Sequence, residues 1–429
     1  MNKILFLNKR MQYQVKLSVL SSMLTILKPG DTVLLFDEVI SNLNLNITSK
    51  GELLKRITIK PLNPGKVIVT GKISLIISGK YTTIANITFK DGGNENSIVL
   101  KGYGNRLTGF DINLNNTNGP IIMVYPKNNR IDHCYIHDFT KADRWIQKDP
   151  NSTSEDFFLF DHNLVKNRKQ GNSNGFETLQ LRNEDNRIQS KSIITQNYFQ
   201  NCDGEIEMIS IKSSDNIVSN NTIDKCKGTI TLRSGFNNLI INNKFIQSNL
   251  KDAGGIRITG EGHIIKSNLF YNIKNGNTTG AALSIMNGTT DKPTYQQVKN
   301  LIITNNLFLE NECDIVLGLD RYNLIPNNIQ FTGNVFYKSE KNPVFSDRGS
   351  KCDKVVFTNN RYFVQNIGDA PDNYGKTENF KTFDLASMNT NLYGVIDEYG
   401  LNWNIPVEET EIIIEVNELY YMLKSSLIK

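Results

Sequence analysis

The chain has 429 residues, with 48 Lys and Arg against 43 Asp and Glu, a formal charge of +5, and 39% hydrophobic and 21% charged residues. These proportions exclude an intrinsically disordered chain, and so mild a charge without a dense Lys/Arg run excludes a dedicated nucleic-acid arm. No apolar stretch reaches the roughly 18 residues needed to cross a bilayer, so no membrane insertion is expected.

At the start, the apolar run Ile4 to Leu7 is cut short by Lys9 and Arg10, too soon for a signal h-region, so the chain as written shows no export signal. Leu17 to Leu27, before Pro29-Gly30-Asp31, predicts a short amphipathic helix capping the open end of a repeat stack. Tyr81 to Phe89 and Asn105 to Ile112 read as early, less regular coils. His133 and His137 are spaced as on a helix but lie among strand and turn residues, so they are assigned no metal. Five cysteines, odd in number and without close pairs, suggest neither a zinc site nor a disulfide framework.

From residue 197 a motif recurs: Asn, any residue, then Phe, Ile or Tyr, after a β-branched run. The copies are Asn197-Tyr198-Phe199, Asn221-Thr222-Ile223, Asn243-Lys244-Phe245, Asn268-Leu269-Phe270, Asn306-Leu307-Phe308, Asn334-Val335-Phe336 and Asn360-Arg361-Tyr362. Their spacing, about 22 to 38 residues, suits a solenoid with loop insertions. Short strands would bury Ile, Leu and Phe in a continuous core, with the Asn residues forming a ladder at one corner. An all-β parallel β-helix is therefore predicted over residues 1–365, with residues 366–429 as a C-terminal cap or appendage. A β-sandwich with Asn-rich turns is the less favoured alternative.

Aligning Cys202-Asp203-Gly204-Glu205-Ile206-Glu207-Met208 on Cys226 to Leu232 matches Cys with Cys and Gly with Gly, and places Ile256 under Ile230 and Ile258 under Leu232. If Ile206 and Met208 point inward, Glu205 and Glu207 point outward together. Two such carboxylates suit Ca²⁺, or else a pair neutralised by Lys or Arg. Arg233 follows inward Leu232 and should point outward at the level of Ile209. Lys212 lies an odd number of residues from Glu207, so a bend near Ser210 is needed to turn it outward.

The stretches Asn174-Gly175-Phe176-Glu177-Thr178, Gly204-Glu205-Ile206-Glu207, Lys212-Ser213-Ser214, Leu232-Arg233-Ser234-Gly235 and Gly254-Gly255-Ile256-Arg257 resemble polysaccharide lyase family 6, which includes alginate lyases and chondroitinase B. The resemblance implies a right-handed parallel β-helix that cleaves an acidic polysaccharide by β-elimination. It implies Ca²⁺ held by Asn174, Glu205 and Glu207, Lys212 as base and Arg233 as the residue placed as acid. Ser234 stands where many members carry His. Arg257 and Arg321 are candidates for binding further uronate carboxylates. The Gly255-Ile256-Arg257 segment looks closer to alginate-cleaving members than to the dermatan-cleaving one. The resemblance also implies a secreted or periplasmic protein, and a monomer is expected. The rival readings are a β-helix glycosidase using Glu205 and Glu207, and a non-catalytic carbohydrate-binding β-helix.

Overall fold

Each repeated Asn follows a residue held at positive φ, as at Gln196 (54°), Asn220 (56°), Asn242 (58°) and Ser267 (56°). This single left-handed step, which Asn adopts more readily than most residues, turns the chain through the corner of a coil. The Asn that follows is buried there and must find its partners in the coils above and below. Asn221 Nδ2 donates to Asn243 Oδ1 and to the Ile194 carbonyl, both at 2.9 Å, and Asn243 Oδ1 also accepts the Asn221 backbone N–H at 3.0 Å. The same bonds run from Asn197 through Asn268, Asn306 and Asn334 to Asn360, so all seven predicted copies lie on one ladder. Asn163 adds a rung upstream, where Val165 replaces the aromatic residue.

Two residues after the Asn, the ring points inward. Phe245, Phe270, Phe308, Phe336 and Tyr362 stack with centroids 4.7–5.0 Å apart and planes within 12°. That spacing matches the separation of paired strands, about 4.8 Å, so one ring fits per coil. Around the ladder corner each coil carries three short strands, for example Ile193–Thr195, Tyr198–Cys202 and Glu207–Lys212. They pair in parallel with Ile217–Ser219, Thr222–Asp224 and Gly228–Ser234 of the next coil. In this computed structural model, 14 described strands stack on one face and 23 on the other two, forming the right-handed parallel β-helix predicted above. The structure describes residues 10–428 except 116–118, 126, 140–143, 150–154, 156, 172–173, 182–187, 276–279, 293, 319–321, 349–351, 371–373, 375–398, 402 and 404–405.

The predicted N-terminal helix is a 3₁₀ helix, Leu17–Met23. Its buried residues Leu17, Leu20 and Met23 are three apart, the period of that tighter helix, and join the main core. Toward the other terminus the chain returns along the outside of the 14-stranded sheet. There the helix Val416–Ile428 sets Val416 and Tyr420 against Leu159, Ile193, Ile217, Leu239 and Ile241. These strand positions are apolar although they face away from the coil interior, because the helix covers them. Buried Arg106 and Arg130 pair with Asp132 and Asp161 and also donate to the carbonyls of Val407 (3.1 Å) and Thr410 (2.8 Å) in the returning segment. All five cysteines are free, and four of them are buried. No described helix is long and apolar enough to cross a membrane.

Replacing Asn243 by Ala would orphan the Asn221 N–H and leave the Val218 carbonyl without its side-chain donor. Loss of about 3 kcal/mol is expected from chemical denaturation, since each buried unsatisfied group costs about 1–3 kcal/mol.

Candidate functional site

Between Cys202 and the strand Glu207–Lys212 the chain makes a close bend at Gly204-Glu205-Ile206. A Cβ on Gly204 would lie 2.0 Å from the Phe176 carbonyl oxygen of the preceding coil, and one on Gly228 (φ 89°) would lie 2.3 Å from the Glu205 carbonyl oxygen. Both positions need glycine so that the backbones can approach. Simple alternation fails across this bend. Ile206, expected inside, is 41% exposed, whereas Met208 and Ile209 both enter the core. The pairing slips between Glu207 and Ile209, so the irregularity expected near Ser210 lies two residues before it, at Met208. It restores Ser210 and Lys212 to the outer face. A second slip, between Ile211 and Lys212, leaves Arg233 outside the pairing, beside Lys212 instead of level with Ile209. Ile230 pairs with Ile256 and Leu232 with Ile258, as predicted.

The two carboxylates expected side by side have opposite surroundings. Glu207 is only 3% exposed. Its Oε1 accepts from Arg233 and lies 3.5 Å from Arg257, and its Oε2 accepts from the Ser210 hydroxyl at 2.6 Å. Burial pushes the Glu207 carboxyl up, but Arg233, Arg257, Ser210 and Lys212 outweigh it and hold the group below its ordinary value. Glu205 is pushed up to about 8 by burial, then by Glu177 and Glu207, and its carboxyl shares a hydrogen bond with that of Glu177. Among the described residues, no cationic side chain is ion-paired with Glu205.

Glu177 received no role in the sequence reading, yet it joins the two halves of the site. Its Oε1 is 3.8 Å from Lys212 Nζ and accepts from Gln180 at 3.3 Å, while Gln147 donates to Gln180 at 2.7 Å. Arg144 Nε approaches Glu177 Oε2 at 3.6 Å. The available signal was an outward carboxylate one coil before Glu205, legible only once the coil register is known.

Asn174 is exposed and shares with Glu205 a groove of about 470 Å³, also lined by Asp203, Lys227, Thr229 and Asn275. Arg257 is buried on the next coil, opposite Thr231. Ser234 is buried with its hydroxyl unpaired, so it does not contribute a groove contact in place of His. Arg321 lies outside the described residues, but Tyr322 beside it packs against Tyr295, centroids 4.8 Å apart. Lys212, Arg233 and Arg257 thus come together on adjacent coils, with Asn174 and Glu205 to one side.

Neutralisation by basic side chains holds for Glu207 and not for Glu205. Like-charged oxygens around Glu205, with the Asn174 amide in the same groove, are donors that a hard divalent cation would stabilise. Among the described residues, no three His, Cys, Asp or Glu side chains gather as a metal shell.

The sequence matches the family described as chondroitinase B over residues 16–399. Among solved structures the chain is similar to a mannuronic acid specific polysaccharide family 6 lyase from human gut microbiota, at 26% identity and TM-score 0.70, covering 81% of this chain and 82% of that one. It is similar to the family 6 alginate lyase AlyGC at 24% identity and TM-score 0.81, covering 94% of this chain but only 58% of the other. The family 6 lyase Pedsa3628 from Pseudopedobacter saltans matches at 22% identity and TM-score 0.69, covering 92% and 100%. No curated protein sequence matches.

Between its ordinary value of 4.5 and about 8, Glu205 holds a proton in the fold that the unfolded chain has released. Stability in chelator should therefore be greatest below that window and fall as pH rises through it, because the native state binds more protons. Denaturation midpoints at pH 6 and pH 9 measure this, and Glu205→Gln should flatten the difference.

Proposed function

The chain belongs to the chondroitinase B family, polysaccharide lyase family 6, and from that premise we propose that it cleaves alginate by β-elimination, with Asn174, Glu205 and, in exchange for its arginine pairs, Glu207 as the residues that would hold Ca²⁺. As a lyase of this family it acts on an acidic polysaccharide. The observation that carries the residue assignment is the placement of Lys212 on the outer face beside Arg233, which the two irregular steps in the pairing bring about.

The proton at C5 of a uronic acid is weakly acidic, and its removal places extra charge on the neighbouring carboxylate. Lys212, neutral when it acts, takes that proton through Nζ. Arg257, one coil further on, binds a uronate carboxylate, and Arg233 steadies the oxygen leaving C4. Ca²⁺, when bound, would offset the charge that develops on the substrate carboxylate. The Gln147-Gln180-Glu177 chain keeps a carboxylate oxygen beside Lys212 and so orients its Nζ.

Alginate is favoured by the Gly255-Ile256-Arg257 segment and by relatives described as alginate or mannuronic acid lyases. Dermatan sulfate is the alternative within the family. A glycosidase is disfavoured by geometry: its two carboxyls stand about 5–9.5 Å apart across the scissile bond. Here Glu205 is hydrogen-bonded to Glu177, and Glu207 is paired with Arg233.

Polymannuronate, polyguluronate and dermatan sulfate, followed by the absorbance of the unsaturated uronate product, test the reading. Turnover on polymannuronate or polyguluronate is expected; turnover on dermatan sulfate alone would overturn the alginate choice. Lys212→Ala should lower kcat by about 10³-fold with unchanged circular dichroism. Chelator should suppress turnover and Ca²⁺ restore it, whereas indifference to chelator would remove the metal from the proposal.

A further inference from the structure

Asn is followed by Gly at Asn118, Asn174, Asn275 and Asn287. A side-chain amide before glycine is open to attack by the next backbone nitrogen, because glycine has no Cβ to shield it and turns freely. Two of these pairs lie wholly within the described residues, and their surroundings are opposite. Asn287 is 1% exposed and its Nδ2 donates to the Tyr322 carbonyl at 2.9 Å, while the Gly288 N–H donates to the Leu324 carbonyl at 2.8 Å. A Cβ on Gly288 would lie 2.3 Å from the Gln297 nitrogen, so that turn is packed as well as bonded.

Asn174 and Gly175 are held differently. The chain is anchored on either side of them: the Gly171 N–H donates to the Gly204 carbonyl at 2.7 Å, and the Phe176 ring centroid lies 5.6 Å from the Arg168 guanidinium carbon. Between these anchors Asn174 is exposed, and nothing comes within 4 Å of where a Gly175 Cβ would stand. Gly175 has φ 97°, and among the described residues its N–H has no acceptor. The nitrogen is available, and the turn around it has room to close a ring.

We propose that Asn174 is a site of spontaneous deamidation with the Gly175 nitrogen as nucleophile, and that the change disables the groove, a consequence that rests on the calcium and lyase reading above. The Gly175 nitrogen, its proton taken by hydroxide, bonds to Asn174 Cγ, the Cγ–Nδ2 bond breaks, and Nδ2 leaves as ammonia with a proton from water. Water then opens the cyclic imide at either carbonyl. Opening at Cγ gives aspartate, and opening at the backbone carbonyl gives isoaspartate, whose main chain is longer by a methylene. Each event consumes a water and releases an ammonia, with no oxidant or reductant. Isoaspartate displaces the ligand oxygen relative to Glu205, with which Asn174 shares the groove.

The full chain, incubated in chelator at mildly alkaline pH and then digested, is read by peptide mapping with mass spectrometry. Asn174 should convert, mainly to isoaspartate, while Asn287 in the same digest stays intact, and conversion should quicken as pH rises. An unchanged Asn174, or equal conversion at both positions, would overturn the site. Gly175→Ala puts its methyl in open space and should slow conversion; an unaltered rate would overturn attack by that nitrogen. Calorimetry should find Ca²⁺ bound at least about tenfold more weakly by converted than by fresh protein. Asn174→Asp, which adds the charge without the longer main chain, should retain the affinity. Equal affinity in fresh and converted protein, or an equal loss in Asn174→Asp, would overturn the displacement. Fresh protein that binds no Ca²⁺, or yields no unsaturated product from any uronate polymer, would instead refute the calcium or lyase reading and leave the mass assignment standing.

Discussion

Every coil depends on the next to satisfy its buried amides. A backbone or Asn group inside this stack cannot reach water, so its partner must lie one strand spacing above or below. The ladder from Asn163 to Asn360 enforces that spacing over most of the molecule, and the stacked rings from Phe245 to Tyr362 show the core following the same step. The site inherits this register: Lys212, Arg233 and Arg257 meet because their strands are paired, although they are far apart along the chain. Chemistry lies where the step is locally broken, since the slips around Met208 and Arg233 turn polar side chains outward that regular alternation would bury or misplace.

The irregular coil also divides the site electrically. Glu207 lies under Arg233 and Arg257 and keeps its charge by ion pairing. Glu205, two residues earlier, lies beyond the bend, where Glu177 is its close neighbour and no cation is paired with it among the described residues. One carboxylate therefore anchors the arginines, and the other leaves a demand for positive charge at the groove. Two adjacent acids of the same type thus have different roles, set by one slip in the pairing.

The repeat was legible because three local requirements coincide in a short motif: a left-handed residue, a ladder Asn and an inward ring. Gln196-Asn197-Tyr198-Phe199 shows all three; the structure places the ladder Asn and the buried ring as read and adds the left-handed turn at Gln196. Pairing of Cys202 with Cys226 was legible for the same reason. Strand alternation across Ile206 was misread, because the close contact of Gly204 with the Phe176 carbonyl, which forces the bend, is a contact between coils and leaves only a glycine in the sequence. Glu177 was missed because its position depends on long-range geometry: it reaches Lys212 across a coil boundary.

The helix at 416–428 has a consequence for how the molecule comes apart. A solenoid whose coils touch only their neighbours can fray from either end without disturbing its middle. Here Tyr420 lies on Ile193 and Ile217, and Lys424 pairs with Asp215 at 2.9 Å, contacts that join residues about 200 positions apart along the polypeptide. Such distant contacts form slowly and late, because a long loop must close first. The helix thus acts as a latch closed after the coils have stacked, and its release would let an otherwise cooperative rod unwind piecemeal.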